Sequence, residues 1–427
     1  MLQSNNKIVI IDNEPTELIE LGKAFLEIGL ACKTFEYDQF FSPPLEDVRI
    51  AFFDIKLNPG GGESEEQTFS NLVDAIKLYI SPNNPPFALV FWTTNKNLIL
   101  GFKKFILERK IDLPSPFFID CIDKAEIKEP SILTEKLQRI FNEPSIKLLF
   151  DFETKAQIAA SKTVDRIFKI IPSDDLWSES GSFCGNFVKV FSKIASQTLG
   201  FESAKENTSR AVYEALLPIL FHDFFSLETS DAWKDNLGPL KSAKKAIDLS
   251  YPEEFDQSKL NSIFHIDESK SIPKNSRGAA ILLTLQDEDF RKSFNIAFQD
   301  WFSRFLPGLT TDDRKASKLI AVEISSSCDF AQKKPRIHKY MLGVLLEESS
   351  FNNLDEKKAP QNLLELDGYY YIQNKKYKIC LNLNYVSSLD LIIEKLNNTL
   401  FSFKKEMVDL IGNRYANHVS RIGITSF

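Results

Sequence analysis

The sequence predicts a chain of three parts: an α/β domain with a five-stranded parallel sheet at residues 1–130, a mainly helical region at 131–306, and a β-rich α+β domain with C-terminal helices at 307–427. Three observations predict it. From residue 7 to about 130, short apolar runs alternate with stretches of helical apolar spacing, the pattern of β–α units that build a parallel sheet covered on both faces. That alternation stops near residue 131, where helical periodicity continues without intervening strands. From about 315 onward, β-branched and aromatic runs are broken by polar turns.

Taken in order, "KIVIID" is a short β-branched run that reads as the first strand. "EPTELIELGKAFLEIGL" follows at helical spacing and reaches Gly29 near its end. "CKTFE" is a second strand, and "VRIAFFD" a third whose continuous apolar character suits burial on both faces. "TFSNLVDAIKLYI" is helical, "PFALVFWTT" a fourth strand, "NLILGFKKFILERK" helical, and "SPFFIDCID" a fifth strand. Beyond them, "SILTEKLQRIFNE", "KLLFDFETKAQIAASKTVDRIFKII", "GNFVKVFSKIASQTLG" and "SRAVYEALLPILFHDFFSL" carry helical periodicity. The stretch around residues 251–279 reads as loop, and "DFRKSFNIAFQDWFSRFL" as one amphipathic helix. Strand-like runs are "SKLIAVEISSSCDF", "KYMLGVLLEE" and "GYYYIQNKKYKICLNLNYVSS"; the chain is expected to close with helices from Leu389.

With 427 residues, 43% of them hydrophobic, the chain can bury two or three cores. A net charge of −7 argues against a dedicated nucleic-acid binder, and no run is apolar for the roughly 18 residues a membrane span needs. The start, "MLQSNNKIVIIDNEP", has no basic region followed by an apolar run, so no secretory signal is expected. The 5 cysteines are scattered singly, which fits a reducing cytoplasm and no disulfide framework.

In an open parallel sheet the loops at the carboxyl ends of the strands converge on one rim, where ligands bind. The first predicted strand ends in Asp12-Asn13-Glu14, the third in Asp54, the fourth in Thr93-Thr94, and Lys124 follows the fifth. An aspartate can attack phosphorus and carry the phosphoryl group as an acyl phosphate. Clustered carboxylates repel unless a cation lies among them, and Mg²⁺ prefers oxygen ligands and bridges carboxylate to phosphate. A lysine ammonium and a hydroxyl stabilise the charge on a transferring phosphoryl group.

"IVIIDNEP" and "FFDIKLNPGGG", followed by Thr93-Thr94 and Lys124, resemble the receiver domain of bacterial two-component response regulators, a flavodoxin-like α/β fold. The resemblance covers about the first 125 residues. It implies Asp54 as phosphoacceptor, Thr93 as switch hydroxyl with Thr94 in the adjoining small-residue place, and Lys124 as the phosphate-contacting lysine. It further implies Mg²⁺ held by Asp12, Asn13, Asp54 and the backbone carbonyl of Lys56. Receivers usually carry a second acid where this chain has Asn13, and Glu14 is the candidate to supply the missing charge. They usually carry proline where this chain has Ala125, so no cis peptide shapes that loop.

All 4 histidines lie at or beyond position 222, and no glycine-rich nucleotide loop is present, so the phosphate is expected from a separate histidine kinase. A divergent receiver before a long unfamiliar C-terminal part is similar in layout to proteins of bacterial antiphage defence operons such as the Detocs system. That likeness implies a phosphate sink or regulator acting beside a kinase and a receiver-bearing effector. Two alternatives stay open: a pseudo-receiver scaffold, and a receiver-controlled effector enzyme with Cys328, Asp329 and His338 as nucleophile, base or metal ligands. His418 is a further candidate for that second site. The long helix around 147–171 could pair two chains as a homodimer or serve as a core helix.

Overall fold

The computed structural model describes residues 7–58, 62–127, 129–172, 181–228, 231–269, 272–284, 287–325, 337–388 and 396–420. The chain divides into two compact units, Met1–Ile158 with Leu227–Ser242, and Ala159–Ser226 with Ala243–Phe427.

The first unit is built on strands β1 (Ile8–Asp12), β2 (Lys33–Glu36), β3 (Ile50–Phe53), β4 (Phe87–Thr93) and β5 (Pro116–Asp123). They form a parallel sheet in the order β2-β1-β3-β4-β5. Every residue of β1, β3 and β4 is buried, as their unbroken apolar sequences require. The period of two splits them between two cores. Val9, Ile11, Ala51, Phe53, Leu89 and Phe91 face helices α2 (Glu65–Tyr79) and α3 (Leu98–Arg109). Ile8, Ile10, Ile50, Phe52, Val90 and Trp92 face helices α1 (Pro15–Glu27) and α4 (Pro130–Phe141). Leu133, Leu137 and Ile140 of α4 complete that second core, so the fold of this unit runs past residue 130.

Local signals set these helices. Pro15 opens α1 in the first turn, where its missing N–H costs nothing. Ser64 and Gln67 form a reciprocal capping box on α2. Between β2 and β3 the described chain has no helix, although β2 and β3 lie on opposite sides of β1. An aromatic loop covers the sheet there instead. The ring of Phe41 stacks on Tyr79 at 4.3 Å between centroids, and Phe35 meets both rings edge-on. The buried Tyr79 hydroxyl accepts from the Asp38 N–H at 2.9 Å and donates to the Glu36 carbonyl at 3.3 Å, tying the loop to α2.

The second unit contains a helical part and an antiparallel sheet. In the helical part, Gly181–Leu199, Phe201–Glu206 and Thr208–Ser226 pack through small side chains, Ala195, Ala204 and Ala211, with Leu199. Asp223 is fully buried there; it accepts from the Thr163 hydroxyl at 3.1 Å and faces the Arg166 guanidinium at 2.7 Å.

The sheet comprises β6 (Ile266–Asp267), β7 (Ala279–Leu283), β8 (Lys318–Glu323), β9 (Lys339–Glu347), β10 (Leu363–Glu365), β11 (Tyr370–Ile372), β12 (Lys375–Ser388) and β13 (Leu396–Phe403). Its order is β10-β12-β9-β8-β7-β13-β6, with β11 paired to β12. Two strands, β6 and β7, come from before residue 307; β6 lies in the stretch that reads as loop, and β7 begins where that stretch ends. Gln373 and Asn374 both take positive φ, 50° and 64°, and turn β11 into β12 as a tight hairpin.

Two sequence expectations fail here. The single helix expected over "DFRKSFNIAFQDWFSRFL" is two, Asp287–Phe294 and Phe298–Phe305, because Asn295 turns left-handed (φ 53°) and Asp287 accepts the Phe298 N–H. The all-helical ending contains a strand, β13: Phe401 and Phe403 alternate into the core, and the strand fills the slot between β7 and β6. The final helix, Lys405–Val419, does follow it and covers one face of the sheet through Met407, Val408 and Ile411.

Tyr79→Phe removes two hydrogen bonds but keeps the ring, and is expected to cost about 1–2 kcal/mol in urea unfolding. Tyr79→Ala also removes the ring stack, and is expected to cost about 3–5 kcal/mol. Equal losses for the two variants would show that the loop does not depend on the hydroxyl.

Candidate functional site

Four strands of the first sheet, β1, β3, β4 and β5, each bring a polar residue to the same rim. Asp12 is the last residue of β1 and is completely buried. Asp54 directly follows β3, where its N–H extends the ladder to the Ile11 carbonyl at 3.2 Å. Thr93 is the buried last residue of β4 and pairs in register with Asp123 at the end of β5. Asp123 accepts the Ala125 N–H at 2.9 Å and so caps the turn that begins with Lys124. A short turn held by a cap fixes where the lysine side chain starts.

Lys124 reaches inward over this rim. Its Nζ lies 2.8 Å from Asp12 Oδ2 and 3.0 Å from Asp54 Oδ2, and also donates to Glu17 Oε2. The same ammonium stands 5.7 Å from the centre of the Trp92 ring, within cation–π range. Burial alone would lower the Lys124 pKa, but Asp54, Asp12 and Glu17 outweigh it and hold the pKa above the ordinary lysine value. Burial dominates at Asp12, whose pKa is pushed up to about 6 despite the ammonium beside it.

One carboxylate oxygen from each of Asp12, Glu17 and Asp54 lies within 4.8 Å of the others. Three carboxylates against one ammonium leave an excess of about two negative charges when all are ionised, which is the charge of a divalent cation. Among the described residues the buried Asn13 Oδ1 has no hydrogen-bond partner. Hard oxygen donors with surplus negative charge suit a metal ion of the alkaline-earth kind.

The remaining predicted residues fall around this centre. The Lys56 N–H donates to Asp54 Oδ1 at 3.3 Å. Thr93 Oγ1 accepts the Asn95 N–H at 3.2 Å, which leaves its proton to be donated. Thr94 is exposed and accepts from the Asn95 side chain. Glu14 is exposed at the start of α1, outside the carboxylate group. The third carboxylate comes instead from Glu17, in the first turn of α1, which sequence reasoning missed. The signal was available: a helix that begins directly after the first strand aims its first turn at the same rim as the strand ends.

The second predicted site is less complete. Cys328 and Asp329 lie outside the described residues. His338 Nδ1 is 3.2 Å from Oε1 of Glu323, a fully buried carboxylate at the end of β8 whose other oxygen accepts the Ser325 N–H. His418 contacts the side chain of Asn384 at 2.7 Å.

No protein-family model, curated protein or solved structure matches the chain. No described helix is long and apolar enough to cross a membrane.

The raised pKa of Asp12 sets a pH dependence in metal-free buffer. The folded state holds this proton more tightly than the unfolded chain, so the group stabilises the fold below about pH 4 and loses that contribution as pH rises through about 6. Relative to Asp12→Asn, the wild type is expected to lose about 1 kcal/mol between pH 5 and pH 7. Urea unfolding in EDTA at both pH values checks this; a pH-independent difference between the two proteins would contradict the burial of the charge.

Proposed function

We propose that the first unit is a phosphoacceptor receiver that takes a phosphoryl group from a separate histidine kinase on Asp54. The observation that carries this reading is the convergence of Asp12, Asp54 and Lys124, with the ammonium 2.8 Å and 3.0 Å from the two carboxylates. In that reading an Asp54 oxygen attacks phosphorus of the phosphohistidine, the P–N bond breaks, the imidazole leaves with the electron pair, and an acyl phosphate remains. Lys124 exchanges part of its contact with the carboxylates for the new phosphoryl oxygens, and Thr93 turns its hydroxyl proton toward them.

Asp12, Glu17 and Asp54, with Asn13 Oδ1 and the Lys56 carbonyl as further oxygen donors, are the residues that would hold Mg²⁺. The ion would neutralise the carboxylates and draw charge from the phosphoryl oxygens. Glu17 supplies the charge that Asn13 lacks. The layout of the chain supports a further placement in bacterial antiphage defence, where such a receiver drains phosphate from the kinase and keeps a receiver-bearing effector silent.

A specific observation favours a second reading, a pseudo-receiver scaffold. Lys124 already contacts all three carboxylates and partly neutralises them without a metal ion. Such a scaffold would bind its kinase or effector without accepting phosphate.

Incubation with acetyl phosphate or a kinase, with Mg²⁺ or with EDTA, separates the readings. The receiver predicts acid-stable, base-labile label that needs Mg²⁺, is absent from Asp54→Asn, and forms about 10²-fold more slowly in Lys124→Ala. Equal label on Asp54→Asn would overturn the assignment. No label on wild type, with partner binding that survives Asp54→Asn, would establish the scaffold.

A further inference from the structure

The helix Thr208–Ser226 of the second unit is apolar on more sides than it buries. Its middle, "ALLPILFH" at 215–222, holds no aspartate, glutamate, lysine or arginine. A helix that is apolar all round is normally buried all round. Here one side is covered: Ala211 and Asp223 are fully buried, and Asp223 is held by Thr163 at 3.1 Å and Arg166 at 2.7 Å. On the side turned away from Asp223 lie Tyr213, Leu217, Phe221 and Phe225, which are 65%, 41%, 59% and 79% exposed. They stand four residues apart, so they form one continuous ridge, about 18 Å long at 1.5 Å per residue. Rows of this spacing are the ridges by which packed helices interlock.

The row suits a second copy of itself. Tyr213 and Phe225 lie on either side of position 219 at equal distance in sequence, and so do Leu217 and Phe221. A second copy laid antiparallel across the row therefore brings Tyr213 beside Phe225 at each end, and Leu217 beside Phe221 at the centre. That is the self-complementary arrangement a two-fold axis demands. Charge points the same way. Arg210 and Glu214, at the start of this face, neutralise each other at 2.7 Å, so the face offers no net charge for an acidic or basic partner to recognise. The area is also sufficient. At about 150–250 Å² per aromatic side chain, the exposed parts of the four residues amount to about 500 Å² per copy. Two copies can then bury about 1,000 Å², the lower bound for a specific interface.

We propose that two copies of the chain pair through this row, antiparallel about a two-fold axis at residue 219. An interface of that size gives a reversible dimer with a Kd in the micromolar range. The proposal is independent of the phosphoacceptor reading, because its residues all belong to the second unit.

The test is sedimentation velocity of the full chain between about 1 and about 100 µM, the range expected of a small interface. The wild type is expected to shift from monomer to dimer across that range. Phe221→Glu and Leu217→Lys, each at an exposed position, are expected to keep wild-type circular dichroism and to stay monomeric, at least about tenfold weaker in self-association. Mixed together, the two variants are expected to regain a dimer, because residue 217 of one copy meets residue 221 of the other and the new charges are opposite. The proposal falls if the wild type is monomeric at every concentration, which is also the outcome if another segment of the same chain covers the row. It falls if folded Phe221→Glu dimerises as the wild type does, or if the mixture stays monomeric. Should the variants fail to fold, hydrogen exchange of the wild type decides: residues 213–225 must exchange more slowly at the higher concentration, and equal rates overturn the proposal.

Discussion

The first unit depends on one ammonium among three carboxylates. Lys124 brings the end of β5 to Asp12 at the end of β1 and to Asp54 after β3, across 112 and 70 residues of chain. A carboxylate as buried as Asp12 is tolerated in a protein interior only when paired or protonated. The pKa of about 6 shows both tendencies at once: the ammonium favours the charge, burial disfavours it, and burial prevails. Removing the lysine would leave two or three carboxylates facing one another in a partly dry site. Either protons or a metal ion would then have to take its place. The same balance that makes the rim a candidate phosphoacceptor site also makes it dependent on a cation.

The sheet beneath explains why these groups meet. In β1, β3 and β4 both faces are covered, so the only polar positions open to the chain are at the strand ends. Parallel strands with crossovers place all those carboxyl ends on one edge, which turns sequence order into spatial convergence. That much was legible in the sequence, because a run such as "IAFF" followed by Asp54 can hardly place the acid anywhere else. The positions of Asp12, Thr93 and Lys124 follow from the same logic, whereas the strand order β2-β1-β3-β4-β5 is a finding of the structure.

The parts that were not legible have separate physical causes. Glu17 is a first-turn helix residue, and exposed first-turn acids are common because they favour the helix dipole; only the closeness of α1 to β1 gives this one another role. The aromatic loop between β2 and β3 has no period, so neither helix nor strand signal marks it, yet its Phe41 stacks on Tyr79 of α2. In β13, Phe401 and Phe403 obey the strand period, but Leu400 and the following "KKEMVDL" continue a pattern that also fits a helix; pairing with β7 and β6 decides between them. At Asn295 a single left-handed residue splits one amphipathic stretch into two helices, a choice that side-chain spacing does not reveal.

The loop that carries Lys124 is also held from outside, and the two sets of contacts differ in how far they are shielded. On the solvent side Lys96 pairs with Asp123 at 3.1 Å and with Glu126 at 2.7 Å. The Glu126 carboxyl is pulled down to about 2 by Lys136 and Lys96 together. Lys96 and Glu126 in these outer pairs are exposed, and ion pairs with an exposed partner are screened by water and salt and contribute less to stability. The inner contacts are shielded: the Lys124 side chain is 9% exposed and that of Asp12 0%. Attraction in that drier setting is several times stronger at equal distance. The β5–α4 loop is therefore held from both sides, with the more shielded contacts on the inner side. Lys124 and the Asp123 cap lie in one short turn, so the ammonium inside the rim and the start of α4 share the same stretch of backbone.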